Sequence, residues 1–202
     1  MTLATQLTLL RILLAFLIMG LLYLPGWMPK AAALGCFLLA ALTDWLDGFL
    51  ARQWNQTSAL GALLDPISDK ILVLGLFLVF VQLGVAPAWM VLLIILRESV
   101  ITGVRMLAAS RHIVLPAAKE GKRKMLSQLV AIFVILIALL LRALAVRELV
   151  SLHVEELVDD LRMVTLWVTT LLTVSSGILF FYTHRAVLLD GGRGPDARVR
   201  GG

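Results

Sequence analysis

Residues Thr43 to Lys70 run TDWLDGFLARQWNQTSALGALLDPISDK, between the apolar stretches KAAALGCFLLAAL and ILVLGLFLVFVQLG. Four aspartates, Asp44, Asp47, Asp65 and Asp69, fall where one greasy segment ends and the next begins. A carboxylate near hydrocarbon is costly, so this group calls for a counter-charge and a task.

The surroundings are those of a membrane protein. The 202 residues are 60% hydrophobic and 15% charged, against roughly 45–50% and about 25% in soluble domains. Apolar runs of about 17–25 residues, enough to span a bilayer, lie near 7–25, 31–51, 69–85, 88–109, 125–146 and 163–183. The expected fold is therefore an all-α integral membrane protein of six transmembrane helices, with a polar active-site cavity on the cytoplasmic side. Residues 1–184 form that domain, and the Gly- and Arg-rich residues 185–202 are expected to be a disordered basic tail. The first run lacks a basic n-region and a small-residue cleavage site, so it is a spanning helix rather than a cleaved signal.

Lys and Arg set the orientation. Arg11, Arg52, Lys70, Arg105, Arg111, Lys119, Lys122, Arg123 and Lys124 share one face with Arg185, Arg193, Arg198 and Arg200, while Lys30, Arg142, Arg147 and Arg162 lie opposite. The positive-inside rule makes the first face, both termini and the aspartates cytoplasmic. The net charge of +5 then belongs to that bias and to anionic headgroups, and nucleic acid is not an expected partner. The single cysteine, Cys36, rules out an internal disulfide, and His112, His153 and His184 are too scattered for metal ligation. Residues 148–160 hold Glu148, Glu155, Glu156, Asp159 and Asp160, which suit a solvated outer loop or short surface helix.

Asp44 and Asp47 are three apart and Asp65 and Asp69 four apart, so each pair shares a helix face. Pro66 suits a first helical turn at the start of the third span. Two such ends brought together make an all-oxygen cage that would repel itself when empty, and hard divalent cations relieve the repulsion. Gly48 permits close approach to the backbone, Arg52 can fork onto a phosphate, and Ala51 and Gly61 keep helix contacts small.

The pattern D-x2-D-G-x2-A-R-x8-G-x3-D-x3-D is met at Asp44, Asp47, Gly48, Ala51, Arg52, Gly61, Asp65 and Asp69. It resembles the signature of the CDP-alcohol phosphotransferases, membrane enzymes of phospholipid synthesis that also have six spans. The resemblance implies two Mg²⁺ or Mn²⁺ ions per site. Asp44 and Asp65 would bridge both ions, Asp47 and Asp69 would each complete one, and Asp69 would be the general base. It implies a CDP-linked donor over Gly48, Arg52, Ser58 and Gly61. Thr5, Thr8 and Arg11 match an N-x2-T-x2-R element, with Thr5 where Asn is common.

Arg97, Glu98, Arg105, Gly121, Lys122 and Lys124 are similar to the phosphatidylglycerophosphate synthase branch, although Met125 stands where Thr is usual. That implies CDP-diacylglycerol as donor and sn-glycerol 3-phosphate as acceptor. Arg105, Lys119, Lys122 and Lys124 would hold the acceptor phosphate, with Arg97 and Glu98 in support. Compensation of Arg97 and Glu98 by other helices is the plainer alternative. Rival functions are a cardiolipin synthase, versions acting on serine or inositol phosphate, and, in another class, a divalent-cation transporter. A homodimer is expected from family habit.

Overall fold

The computed structural model describes residues 3–54, 59–110, 119–146 and 152–189, and these are helical apart from short turns. The elements are α1 (Leu3–Tyr23), α2 (Trp27–Trp54), α3 (Ala59–Gln82), α4 (Ala88–Ser110), α5 (Lys119–Ala145) and α6 (Leu152–Leu189). α1 packs on α2 and α3, α5 on α2, α3 and α6, and α4 on α3 and α6. Their shared core is built from long side chains such as Ile18, Leu22, Phe77, Phe80, Met90, Ile94, Ile132 and Leu136, each at most 1% exposed. Phe77 and Phe80 meet edge to face at 6.2 Å, a geometry their ring quadrupoles favour.

The outward faces are as apolar as the core. Leu13, Phe16, Met28, Met106, Leu126, Leu171 and Ile178 are each more than 60% exposed, which water-facing surfaces of monomers rarely tolerate as a continuous patch. By length and composition, Lys124–Ala145 and Glu156–Thr183 suffice to cross a bilayer, and Thr8–Tyr23, Trp27–Thr43 and Lys70–Gln82 are shorter apolar segments.

Two elements differ most from the expected boundaries. α3 begins at Ala59 rather than near residue 69, so Pro66 lies beyond its first turn. There proline removes the amide that would bond the Ala62 carbonyl, which costs about 3 kcal/mol in a helix interior. α6 runs unbroken for 38 residues, absorbing both the acidic segment from Leu152 and residues 185–189 of the tail. No Gly or Pro interrupts residues 152–176, and Asp159 pairs with Arg162 one turn on at 3.2 Å, so charge there supports helix rather than ending it.

The ends of the helices remote from the aspartates are laced together. α3 closes on Gly84 at φ 72°, with Val85 N donating to Phe80 O at 2.9 Å and Gly84 N to Val81 O at 3.0 Å. This is a Schellman motif, and the buried Val85 and Phe80 supply its apolar contact. Lys30 Nζ donates to the carbonyls of Leu22 at 2.6 Å and Leu24 at 2.7 Å, covering the last turn of α1. Tyr23 Oη donates to Gln82 Oε1. Arg162 donates to the Val85 carbonyl, and Asp159 also accepts from Arg142.

Candidate active site

The four aspartates all stand on helix. Asp44 and Asp47 lie in the second half of α2, and Asp65 and Asp69 in the first half of α3. Their spacing keeps each pair on one helical face. Gly48 and Arg52 follow on α2, Gly61 precedes on α3, Thr5 is on α1, and Lys119 and Lys122 open α5. The side chains of all these residues, and Ser58 entirely, lie outside the described residues. Among the described residues, no group of three or more His, Cys, Asp or Glu comes together. The donor set of the aspartate stretch is carboxylate oxygen alone, which fits Mg²⁺ or Mn²⁺ and not a soft metal.

What is described around that stretch is strongly polar for so apolar a chain. On α1, Thr8 is 2% exposed and Arg11 only 1% exposed. Arg11 Nη1 donates to Ser68 Oγ at 3.4 Å. The contact brings the α1 element against α3 at the residue just before Asp69. Together with Tyr23 and Gln82 at the other end, it also shows α1 and α3 running parallel. On the far side of Asp69, Lys70 Nζ donates to Thr102 Oγ1 of α4 at 2.5 Å.

α4 then carries a charged stripe. Glu98 Oε1 accepts from Arg97 Nη1 at 3.2 Å and from Lys124 of α5. Arg97 Nη2 also donates to Ser176 Oγ of α6 at 3.0 Å. The stem of Arg97 lies over Gly177, where a β-carbon would come within 3.1 Å of Arg97 Cγ. Two turns along, the Arg105 guanidinium stands 5.6 Å from the Phe180 ring centroid, within cation–π range. Lys70, through Thr102, and Lys124, through Glu98, are thereby brought to the helix that carries Arg97 and Arg105. Two of these cations, Arg97 and Lys124, share one carboxylate, Glu98.

Of the residues expected at an acceptor pocket, Arg105 and Lys124 fall in this cluster with Arg97 and Glu98. Lys124 is not an open ammonium, however, because Glu98 holds it and the residue is 8% exposed. Arg97 and Glu98 brace α4 against α5 and α6, in line with the plainer alternative. Sequence reasoning missed Lys70, Thr102, Ser176 and Phe180. Lys70 directly follows Asp69, yet it counted only toward the orientation charge; its adjacency was the available signal.

Below the cluster a polar seam continues between α5 and α6. Thr169 Oγ1 donates to the Ser127 carbonyl at 3.0 Å. Among the described residues, Gln128 Nε2 and Thr173 Oγ1 are buried without a hydrogen-bond partner. Such groups are costly inside a protein and keep hydrogen-bonding capacity toward whatever enters.

The CDP-alcohol phosphatidyltransferase family profile matches residues 1–175. A Bacillus subtilis (strain 168) protein named CDP-diacylglycerol–glycerol-3-phosphate 3-phosphatidyltransferase is 41% identical over 145 residues, covering 72% of this chain and 69% of its own length. Proteins of the same name from Salmonella choleraesuis (strain SC-B67) and Escherichia coli (strain K12) are 40% and 41% identical over 134 residues, covering 63% of this chain and 72% of theirs. The chain therefore belongs to the CDP-alcohol phosphatidyltransferase family.

Proposed function

We propose that the protein transfers the phosphatidyl group of CDP-diacylglycerol to sn-glycerol 3-phosphate, giving phosphatidylglycerophosphate and CMP. The observation that carries the acceptor assignment is the gathering of Lys70, Arg97, Arg105 and Lys124 on and against α4, beginning one residue from Asp69. A lipid acceptor such as phosphatidylglycerol has less use for so much positive charge beside the reacting centre. The names of the relatives support the same donor and acceptor.

The chain's own groups divide the work. Thr5, Thr8, Arg11, Gly48, Arg52, Ser58 and Gly61 bind the CDP-linked donor. Arg105, Lys119, Lys122 and Lys124 hold the acceptor phosphate, with Glu98 fixing the Lys124 ammonium. Asp69 takes the proton of the sn-1 hydroxyl as its oxygen bonds to the phosphatidyl phosphorus. The bond from that phosphorus to the CMP oxygen breaks, and CMP leaves. Two Mg²⁺ or Mn²⁺ ions held by Asp44, Asp47, Asp65 and Asp69 would neutralise the diphosphate and the departing CMP. Positioning and electrostatics supply most of the acceleration in such transfers.

All six helices cross the membrane in this proposal, with both termini and the site cytoplasmic, in a bacterial-type inner membrane and as a homodimer. Apolar outward faces and the Lys and Arg asymmetry support that placement. The test is CMP release by purified protein with CDP-diacylglycerol and Mg²⁺, comparing glycerol 3-phosphate with phosphatidylglycerol, serine and inositol phosphate. Release with glycerol 3-phosphate alone is expected. Release with another acceptor instead would overturn the assignment of the cation cluster.

A further inference from the structure

We infer that Phe180 is a positioning residue for the acceptor: its ring keeps the Arg105 guanidinium turned back into the bundle, where it meets the phosphate of glycerol 3-phosphate. This role rests on the acceptor assignment proposed above and adds what sets the direction of one of its cations. Arg105 Cζ stands 5.6 Å from the Phe180 ring centroid, within the range in which a cation is drawn to the face of an aromatic ring.

The helix register makes this contact a reach backwards. α4 and α6 run parallel, since Trp89 meets Trp167 at 5.3 Å and the stem of Arg97 lies over Gly177. Eight residues on, from 97 to 105 and from 177 to 185, Arg105 comes level with the turn of α6 that holds residue 185. Phe180 lies five residues short of that level, roughly 7 Å along a helix. The tilt of side chains toward a helix's N-terminus starts Arg105 in that direction. Interfacial water pulls the other way, because an arginine near a membrane edge ordinarily extends its head outward. The ring is what holds it.

Such a hold suits a phosphate site. A ring attracts the guanidinium through its charge and supplies no lone pair, so the N–H fork keeps its capacity for phosphate oxygens. A carboxylate in the same place would neutralise the charge and repel the acceptor. Glu98 holds Arg97 and Lys124 in that way, whereas among the described residues no carboxylate pairs with Arg105. Arg105 is exposed, while Phe180 is 4% exposed and meets Phe181 edge to face at 5.8 Å. A fixed ring beneath an accessible cation leaves little to order when the acceptor arrives.

The experiment replaces Phe180, in the full chain in detergent, with phenylalanine carrying one, two or three ring fluorines. Fluorine drains negative charge from the ring face and leaves its shape nearly unchanged, so packing is preserved while the attraction fades. CMP release from CDP-diacylglycerol is followed as glycerol 3-phosphate is varied. KM for glycerol 3-phosphate is expected to rise stepwise to about fivefold, the scale of one cation–π contact, with kcat and KM for CDP-diacylglycerol unchanged. Phe180→Leu is expected to give the same rise alone and to add nothing to Arg105→Met, which leaves no cation to hold. If Phe180→Leu does not fold, the fluorine series carries the test. A flat series, or a Phe180→Leu effect that persists in Arg105→Met, would overturn the role of Phe180 while leaving transfer to glycerol 3-phosphate intact. A folded wild type that releases CMP only with another acceptor, or with none, would overturn the acceptor assignment and the role of Phe180 together.

Discussion

Glu98→Gln is a demanding perturbation because a single carboxylate serves two cations. Arg97 approaches it at 3.2 Å, and the side chains of Arg97, Glu98 and Lys124 are 13%, 14% and 9% exposed. At an effective dielectric of about 20, charges 3.2 Å apart attract by about 5 kcal/mol before desolvation. Hydrogen bonds to charged groups retain about 1.5–3 kcal/mol net. Glutamine keeps one carbonyl for two donors, so one contact weakens and the other is lost, a destabilisation of roughly 2–4 kcal/mol. For a chain of this size that lowers the apparent Tm by roughly 4–16 °C. The assay is intrinsic-fluorescence melting in detergent, with KM for glycerol 3-phosphate measured in parallel and expected to rise. Much of the loss comes from stranding the Lys124 ammonium, so Glu98→Gln combined with Lys124→Met is expected to melt higher than Glu98→Gln alone. A double variant that loses as much as the two single variants added together would refute the coupling.

Asp44→Asn and Asp65→Asn are each expected to cut CMP release by more than about 100-fold, the scale of losing several kcal/mol of charge stabilisation, with melting temperatures unchanged. Chelation with EDTA is expected to abolish CMP release, and added Mg²⁺ or Mn²⁺ to restore it. Arg162→Leu leaves the Val85 carbonyl without the side chain that bonds it and is expected to cost about 1–3 kcal/mol, read as a lower melting temperature with KM unchanged. Gly84→Val forces a branched side chain to φ 72°, a strain of about 1–3 kcal/mol, measurable in the same melt.

The helical elements were legible because each is a long apolar run bounded by Gly, Pro or charge. α4, expected over 88–109, spans Ala88–Ser110. The misjudged ends share a cause. Hydropathy marks where a segment turns polar, not where its backbone stops being helical. At α3 the helix extends through Gly61 and Asp65, and at α6 through Glu156 and Asp159. The aspartate stretch was legible as chemistry because four carboxylates at i+3 and i+4 spacing have few other uses there. The partners of Arg97 and Glu98 were not legible. Lys124 and Ser176 lie 26 and 79 residues away in sequence, and only helix packing makes them neighbours. Lys70 was overlooked because a lysine near a membrane edge has an ordinary explanation in the positive-inside bias.

The lacing at the ends remote from the aspartates touches all six helices. Tyr23, Lys30 and Gln82 tie α1 to α2 and α3, the Schellman turn leads into α4, and Arg142, Asp159 and Arg162 join α5 and α6 to that turn. The Arg11–Ser68, Lys70–Thr102, Glu98–Lys124 and Arg97–Ser176 contacts tie α1 to α3, α3 to α4, and α4 to α5 and α6 again on the side of the carboxylates. The bundle is thus braced like a ladder with rungs near both ends. For distance-based labelling, probe pairs across the end remote from the aspartates should hold a fixed separation and serve as a ruler for the rest of the molecule.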